Sequence, residues 1–214
     1  MPDQEEQKIT AIEVQKKHRN RYSIFINDEF AFGLDQDVLL KYSLARGDVL
    51  TPEKINQILA SEEEKKAKNK ALRLLAVRAR SRKELFDRLL KDGFPSLAIE
   101  KVLADLERVK LIDDLEFALI FSRSQVVTRP CGEILLRREL ALKGVTEEYI
   151  NAGISEAYKE KSQKEIAVTL AQRKKKTSQN MDERKAKKRV ADFLARRGFK
   201  WDIVNDIIDQ WDEI

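Results

Sequence analysis

Three glycines, Gly93, Gly144 and Gly198, mark an internal repeat, because apolar residues lie at the same positions before and after each of them. The intervals between them are 51 and 54 residues, longer than two-helix repeats of about 33 to 47 residues and sufficient for three short helices with turns. The sequence therefore predicts a tandem array of three three-helix repeats, which presents a long surface more readily than a pocket. The recurring apolar residues are Leu85, Leu89, Phe94, Ile99 and Leu103; Leu136, Leu140, Val145, Ile150 and Ile154; and Val190, Leu194, Phe199, Val204 and Ile208.

Helix starts within the repeats carry capping signals. Ser81 and Glu84 have the spacing of a capping box, in which the serine hydroxyl accepts one backbone N–H and the glutamate folds back to another. The helix that they open is expected to end at Gly93, where a left-handed residue costs no Cβ clash. Third helices are expected to begin at Pro95 and Thr146, and the second helices of the later repeats near Gly132 and Asp182.

The first sixty residues differ in composition from the repeats. Apolar residues alternate with polar ones over 9–14, 22–26 and 30–34, which predicts a three-stranded antiparallel meander. Polar turns are expected at 18–20 and 27–28, and His18 is interpreted as a turn residue rather than a ligand or a base.

Two helices are expected to cover this small sheet. Asp35 or Asp37 can cap a short helix through Tyr42, and Thr51 followed by Pro52 is typical of a helix start. Residues 61–70, mostly Glu and Lys, are expected to form a polar helical bridge. The predicted boundaries are 1–60 for the N-terminal β-meander with its short helices, then 61–112, 113–160 and 161–214 for the three repeats.

Composition restricts the class of protein. Charged residues make up 37% of the chain, and seven Gly and four Pro leave room for much regular structure, which favours exposed helices that each bury one stripe. A single cysteine excludes an intramolecular disulfide framework. The polar start over 1–8 does not resemble a signal peptide, and no apolar run approaches the roughly 20 residues of a membrane span. We therefore expect a cytoplasmic protein without a membrane role.

Residues that carry catalytic chemistry are scarce. Adjacent carboxylates at Asp113 and Asp114 can hold Mg²⁺, but the spacing of Asp113 and Glu116 favours a helix cap. Cys131 follows a proline at a helix start, where a thiolate would be somewhat stabilised, and without a partner histidine it is interpreted as a small residue without reactive chemistry. No Gly-Lys-Ser/Thr triplet is present to form a phosphate loop. The chain is therefore expected to be non-enzymatic, with no catalytic residue, metal or cofactor.

Positive charge is concentrated in one region. Residues 159–200 contain 15 Lys or Arg and 5 Asp or Glu, so the other 172 residues carry a net charge of −5. Basic residues recur around the junction of the first and second helices of each repeat, and either they line a stripe that contacts phosphates or acidic side chains, or they form a solvated face paired with Glu84, Glu133 and Glu139. The candidates are Arg78, Arg80, Arg82, Arg129, Arg137, Arg138, Lys143, Lys174, Lys175, Lys176, Arg184, Lys185, Lys188, Arg196 and Arg197.

Three sequence motifs resemble the RecX family of bacterial regulators. They are Arg-Ser-Arg-Lys-Glu-Leu at 80–85 with Arg-Leu at 88–89, Leu-Ile-Asp-Asp at 111–114 with Phe-Ala at 117–118, and Gly132 followed by Arg-Glu-Leu-Ala-Leu-Lys-Gly-Val at 138–145. The resemblance covers about residues 68–214. One departure is Lys110, which replaces the glycine that often precedes Leu-Ile-Asp-Asp in the family and places a turn conformation in question.

The resemblance implies an elongated, curved array of three-helix repeats that lies in the groove of the RecA–DNA filament. There it would restrain filament growth, ATP hydrolysis and strand exchange, with RecA as partner, DNA contact and a monomeric state. The alternatives from other classes are a free-standing helical nucleic-acid-binding regulator and a general helical scaffold. Binding to bare DNA with and without RecA separates the first two.

Overall fold

The structure is a computed structural model that describes residues 6–16 and 18–214, without the side chains of residues 18 and 19. The described chain is mainly helical, with an N-terminal sheet ahead of the helices, as predicted. The elements in chain order are β1 (Gln7–Gln15), β2 (His18–Ile26), β3 (Glu29–Asp35), α1 (Gln36–Lys41), β4 (Val49–Leu50), α2 (Pro52–Val77), α3 (Arg82–Lys91), α4 (Ser96–Arg108), α5 (Asp114–Thr128), α6 (Glu133–Leu142), α7 (Glu147–Ala157), α8 (Gln163–Lys176), α9 (Glu183–Arg196) and α10 (Trp201–Asp209).

The chain divides into two compact units. Unit 1 comprises the described residues up to Arg78 together with Leu85–Val109, and unit 2 comprises Ala79–Glu84 together with Lys110–Ile214. The division does not follow the repeat boundaries, because the residues that open α3 pack with the second repeat.

The N-terminal sheet of unit 1 is antiparallel with the strand order β3-β2-β1-β4. The three predicted strands are present and pair as an antiparallel meander, and Val49 and Leu50 add a fourth strand that pairs with Lys8 and Gln7. A two-residue strand shows no periodicity, so no sequence pattern indicates it. The turn expected at 18–20 was wrong, because the backbone of β2 already begins at His18, whose side chain lies outside the described part of the chain. The turn at 27–28 is confirmed by positive φ angles of 50° and 68°.

Helices α1 and α2 cover one face of this sheet, as expected. Ile9, Ile24 and Leu34 from the strands share a core with Val38 of α1 and Ile58 of α2. Both predicted caps are present, since Asp35 accepts the Asp37 N–H and Thr51 accepts the Lys54 N–H. Helix α2 then continues without a break to Val77, through the boundary expected at residue 60.

A buried carboxylate ties α2 to the sheet. Glu62 of α2 is almost fully buried and accepts hydrogen bonds from Arg21 Nη2 at 2.7 Å and from the Asp35 backbone N–H at 2.8 Å. Removing one partner of such a buried ion pair would leave an uncompensated charge in the interior, which is strongly destabilising. The pair therefore fixes the position of this part of α2.

The three repeats contain the helices that the glycine spacing predicts. The aliphatic residues four and eight positions before each glycine are fully buried in every repeat. In unit 2 the second and third repeats share one continuous core that includes Leu136, Leu140, Val190 and Leu194. Each of the three glycines has a positive φ angle, between 76° and 91°, which ends its helix in the left-handed region.

Lys110 adopts the left-handed conformation that glycine would favour. Its φ angle is 59°, so the turn before Leu111 is kept despite the departure from the family pattern. The chain therefore accepts the cost of a side chain in this region, about 1–2 kcal/mol.

The start of α6 is capped by the third repeat rather than by its own residues. Gly132 occupies the N-cap position and has no side chain to accept a hydrogen bond. Instead, the Gly132 and Ile134 N–H groups donate to the carbonyls of Arg197 and Gly198 at 2.9 and 3.0 Å. The Glu133 N–H donates to Gln163 Oε1 at 3.0 Å. These contacts, which we call joint 2, satisfy backbone donors that are otherwise left open at a helix start.

The start of α3 makes the corresponding contact within unit 2. Ser81 Oγ accepts the Glu84 N–H, which confirms half of the predicted capping box, and donates to the carbonyl of Lys143 at 2.7 Å. The Glu84 carboxylate accepts Lys143 Nζ at 2.7 Å, and Asp114 accepts the Arg82 N–H at 2.8 Å. We call this contact joint 1. Ser81 and Gly132 occupy equivalent positions, four residues before Leu85 and Leu136.

The glycines of the two joints leave room for the neighbouring helix start. A Cβ on Gly198 would lie 2.4 Å from the Leu135 backbone nitrogen, and a Cβ on Gly144 would lie 2.6 Å from Lys83 Cβ. A Cβ on Gly93, which closes the first repeat, would meet nothing within 4 Å. Gly144 and Gly198 therefore combine a turn requirement with a packing requirement, whereas Gly93 carries the turn requirement alone.

This difference predicts the outcome of three alanine substitutions. Gly93→Ala should cost about 1–2 kcal/mol of unfolding free energy from the left-handed backbone alone. Gly144→Ala and Gly198→Ala should each cost about 1–3 kcal/mol more, because the added methyl group overpacks the joint. Urea unfolding followed by circular dichroism measures these changes. Equal destabilisation by the substitutions at Gly93 and Gly198 would show that joint 2 is not tightly packed.

Candidate cationic binding surface

The two adjacent carboxylates at 113 and 114 form helix caps. Asp113 Oδ1 accepts the Leu115 and Glu116 N–H groups, both at 3.1 Å, and these bonds with the nearby Lys110 lower the pKa of the carboxyl. Asp114 is occupied by the Arg82 N–H. Within residues 6–16 and 18–214, no cluster of three His, Cys, Asp or Glu side chains is placed to hold a metal ion.

Cys131 lies in the core of unit 2. The residue is fully buried, and burial raises the pKa of its thiol to about 11. Its carbonyl accepts the Tyr158 hydroxyl at 2.9 Å. This arrangement matches the interpretation of Cys131 as a small residue without reactive chemistry, since a reactive cysteine needs a lowered pKa and access to solvent.

Two of the candidate cations at the junction of the second repeat are held by carboxylates. Arg137 contacts Glu133 and Glu147 and also donates to Asn151. Lys143 pairs with Glu84 at joint 1 and lies 5.0 Å from the centre of the Phe121 ring. Both side chains contribute to the packing of unit 2.

Three candidates of the third repeat also have contacts within the fold. Lys175 Nζ donates to the carbonyls of Trp211 and Ile214, which holds the end of the chain against α8. Arg197 donates to the Pro130 carbonyl at joint 2, and its guanidinium lies over the Phe193 ring. Lys174 also lies near this ring, at 5.4 Å from its centre.

Seven candidate cations remain exposed, and each lacks an ion-pair partner among the described residues. An exposed cation without an internal partner is available to bind an anion, so these side chains form the stronger part of the predicted set. They are Arg129, Arg138, Lys176, Arg184, Lys185, Lys188 and Arg196.

The cations of α9 oppose the local field of their helix. Arg184 and Lys185 lie in its first turn, with Lys188 one turn further. A helix N-terminus carries partial positive charge, so cations there weaken the helix by about 0.3–1 kcal/mol each. Asp182 and Glu183 offset part of this cost, and Asp182 caps α9 by accepting the Lys185 N–H. An anionic partner at this helix start would be favoured by both the side chains and the backbone.

Arg78, Arg80 and Arg82 flank the start of α3. Arg78 is exposed at the C-cap of α2 in unit 1, whereas Arg80 and Arg82 are half-buried in unit 2. The structure thus divides the fifteen predicted cations into side chains with contacts inside the fold and side chains that face solvent. The sequence pattern alone does not distinguish the two groups.

Unit 2 also carries a cleft that the sequence does not predict. It has a volume of about 580 Å³ and lies between the ends of α5 and α7 and the side of α8. Val126, Ile166 and Leu170 contribute apolar surface, and Arg123 and Arg173 contribute positive charge. Its lining comes from three helices and two loops, so no local pattern reveals it.

Across the described part of the chain, no helix is both long enough and apolar enough to cross a membrane. The fold is that of a helical-repeat protein with an N-terminal sheet domain. Comparison with known proteins identifies the family. The sequence models of the Regulatory protein RecX N-terminal domain and of the first, second and third RecX three-helix domains match residues 7–51, 67–106, 113–154 and 162–208.

Curated relatives agree with these matches. Regulatory protein RecX of Listeria monocytogenes serotype 4b (strain CLIP80459) is 36% identical over 192 residues, covering 90% of this chain and 71% of the relative. Regulatory protein RecX of Bacillus licheniformis is 34% identical over 204 residues, covering 95% of this chain and 77% of the relative. The chain therefore belongs to the RecX family of regulatory proteins.

Solved structures support the same fold. A crystal structure of regulatory protein RecX superposes with a TM-score of 0.76 at 28% identity, covering 95% of this chain and 99% of that one. RecX from Lactobacillus salivarius gives a TM-score of 0.63 at 27% identity, covering 72% of this chain and 99% of that one.

Burial of Cys131 predicts slow reaction with thiol reagents. In the native protein at pH 8, modification by a disulfide reagent should be roughly a hundredfold slower than in urea, because the buried thiol must first become accessible by local opening. A Leu142→Cys variant provides the control, since position 142 is 71% exposed. If Cys131 reacts as fast as the thiol at position 142, its placement in the core is wrong.

Proposed function

We propose that this protein is a non-enzymatic regulator of a RecA recombinase. It binds the RecA–DNA filament in the cytoplasm as a monomer and restrains filament growth, ATP hydrolysis and strand exchange. The observation that carries the proposal is the match of all four segments of the chain to RecX family domains. The residues that could carry catalytic chemistry have structural roles instead: Asp113 and Asp114 accept backbone N–H groups at helix starts, and Cys131 is buried.

The exposed cations supply the binding chemistry for this function. A RecA–DNA filament presents phosphates and acidic side chains, and cations without internal partners can bind both without breaking ion pairs of the fold. Arg184, Lys185 and Lys188 of α9 are the strongest candidates, because they are exposed and concentrate charge at one helix start. Lys175 and Arg197 donate hydrogen bonds to backbone carbonyls inside the fold. If either were replaced, weaker binding could not be distinguished from damage to the structure.

The exposed cations also favour a second candidate function, that of a free-standing nucleic-acid-binding regulator. Binding of the protein to bare DNA and to the assembled RecA filament separates the two. A filament regulator should prefer the filament, and a transcriptional regulator should prefer one DNA sequence in the absence of RecA.

The functional test uses purified RecA with single-stranded DNA. Substoichiometric amounts of the protein should slow DNA-dependent ATP hydrolysis and strand exchange, because blocking one growing filament affects many RecA subunits. If an equimolar amount changes neither activity nor filament length, the proposed function is wrong.

The binding test replaces Arg184, Lys185 and Lys188 together with alanine. Alanine favours helix, so α9 should remain folded while filament binding weakens. For each phosphate that the variant no longer neutralises, the dependence of log affinity on log salt should also flatten by about 0.7 to 0.9. A matched variant with Lys54, Lys101 and Arg108 replaced by alanine removes the same charge from unit 1 and should bind nearly as the parent does.

The two variants distinguish the explanations. Equal weakening in both would mean that only net charge matters. A parent protein that inhibits RecA together with an α9 variant of unchanged affinity would refute the assignment of α9 while leaving the regulatory function intact.

A further inference from the structure

Unit 1 contains a cationic cleft that includes none of the fifteen candidate cations. It has a volume of about 500 Å³ and is lined by Arg21 of β2, by Lys66, Asn69, Lys70 and Arg73 of α2, and by Asp92 and Phe94 from the turn between α3 and α4. The volume falls in the range of ligand sites, about 300–1,000 Å³. Four of the seven lining residues are cations and one is an anion.

One face of α2 supplies most of this lining. Lys66, Asn69, Lys70 and Arg73 follow the spacing i, i+3, i+4 and i+7, which places their side chains in one row. At a rise of about 1.5 Å per residue, the row is about 10 Å long. A row of that length reaches more than one phosphate of a nucleic acid strand, since adjacent phosphates of one strand advance about 3.4 Å along a duplex.

The cations of the row are only partly neutralised. Arg73 has no carboxylate partner among the described residues, and its Nε donates only to the Asn69 carbonyl, at 3.2 Å. Lys66 pairs with Glu63 at 2.9 Å in a half-exposed contact, which an incoming anion can displace at little cost, and its Nζ also lies 3.9 Å from the buried Glu62 carboxylate. Lys70 pairs with Asp92 at 2.9 Å, but Asp92 is shared with Arg88 at 3.4 Å.

The far side of the cleft is rigid. Arg21 Nη2 is held by buried Glu62 at 2.7 Å and by the Gly33 carbonyl at 3.4 Å, so the guanidinium is fixed while its remaining donors stay available. A guanidinium in a fixed position loses less side-chain entropy when it binds a phosphate. The buried pair thus supports both the fold of unit 1 and the geometry of the cleft.

Phe94 adds a flat apolar surface next to these cations. Its ring is half-buried and lines the cleft. Proteins that bind single-stranded nucleic acids combine cations, which contact the phosphates along the nucleic-acid backbone, with aromatic rings on which the bases stack. An acidic peptide would use the cations but would have no need for the ring.

We propose that this cleft binds a segment of single-stranded nucleic acid, with phosphates on Lys66, Lys70 and Arg73 and a base against Phe94. A paired base cannot enter the cleft while it remains stacked in a duplex, so a single strand should bind more tightly than a duplex. The proposal is independent of RecA, because it concerns binding to the bare strand. It assigns a binding role to the N-terminal unit.

The test measures binding of the full chain to a fluorescently labelled oligothymidylate by anisotropy, over a range of salt concentrations and without RecA. Replacing Lys66, Lys70 and Arg73 together with alanine should weaken binding roughly tenfold or more at low salt. It should also flatten the salt dependence by about 0.7 for each phosphate that is no longer neutralised. The Lys54, Lys101 and Arg108 alanine variant is the matched control and should change affinity less than twofold.

A Phe94→Leu variant separates stacking from charge. It keeps an apolar side chain at this position, so it should weaken binding about fivefold or more while leaving the salt dependence unchanged. Circular dichroism of each variant establishes that the fold is retained. If Phe94→Leu unfolds the chain, Phe94→Tyr replaces it and should retain binding, since the aromatic face is kept.

Three results would overturn the proposal. One is equal weakening by the cleft variant and the matched control, and another is unchanged affinity in the cleft variant. The third is weaker binding of the cleft variant to polyglutamate but not to oligothymidylate, which would assign the cleft to an acidic protein partner. Weaker oligothymidylate binding by the cleft variant with normal inhibition of RecA would support the cleft and separate it from the surface that binds the filament.

Discussion

The packing of unit 2 depends on hydrogen bonds to backbone groups that join the start of one helix to the end of another, later helix. At joint 2, the Gly132 and Ile134 N–H groups donate to the carbonyls of Arg197 and Gly198. Helix α6 has no capping side chain of its own, so the third repeat satisfies its open donors. Joint 1 uses the same positions, with the Lys143 carbonyl accepting Ser81 Oγ. By contrast, α9 belongs to the last repeat and is capped by its own Asp182.

These joints also determine which cations remain for binding. Lys143 and Arg197 each precede the glycine of a joint, and each reaches back across it, to Glu84 and to the Pro130 carbonyl. Their charge is therefore used within the fold. The seven exposed cations without an ion-pair partner lie elsewhere, at the end of α5 and on α6, α8 and α9, and they are the ones on which the proposed filament binding depends. The position of a cation within the repeat thus indicates whether it contacts groups inside the fold or is available to bind a partner.

Much of the fold could be predicted from the sequence, because helix periodicity, caps and left-handed glycines are local signals. The partners of the cations could not, since Lys143 and Glu84 are 59 residues apart in sequence. Some local signals were also missed: Ser162 and Glu165 form a full capping box at the start of α8. The cleft of unit 1 was hidden because the composition of 61–70 indicates only a polar bridge, and only the fold brings Arg21 and Phe94 beside it.

Amide hydrogen exchange at Gly132 and Ile134 tests whether the third repeat caps α6, because both N–H groups lie at a helix start, where exchange is normally fast. If the cap is present, both amides should exchange as slowly as the interior of the helix, and Gly198→Ala should accelerate them. The amide of Asp202, in the first turn of α10 where Lys200 provides no capping side chain, is the reference for a fast helix start. Exchange at Gly132 and Ile134 as fast as at Asp202 would show that the third repeat does not cap α6.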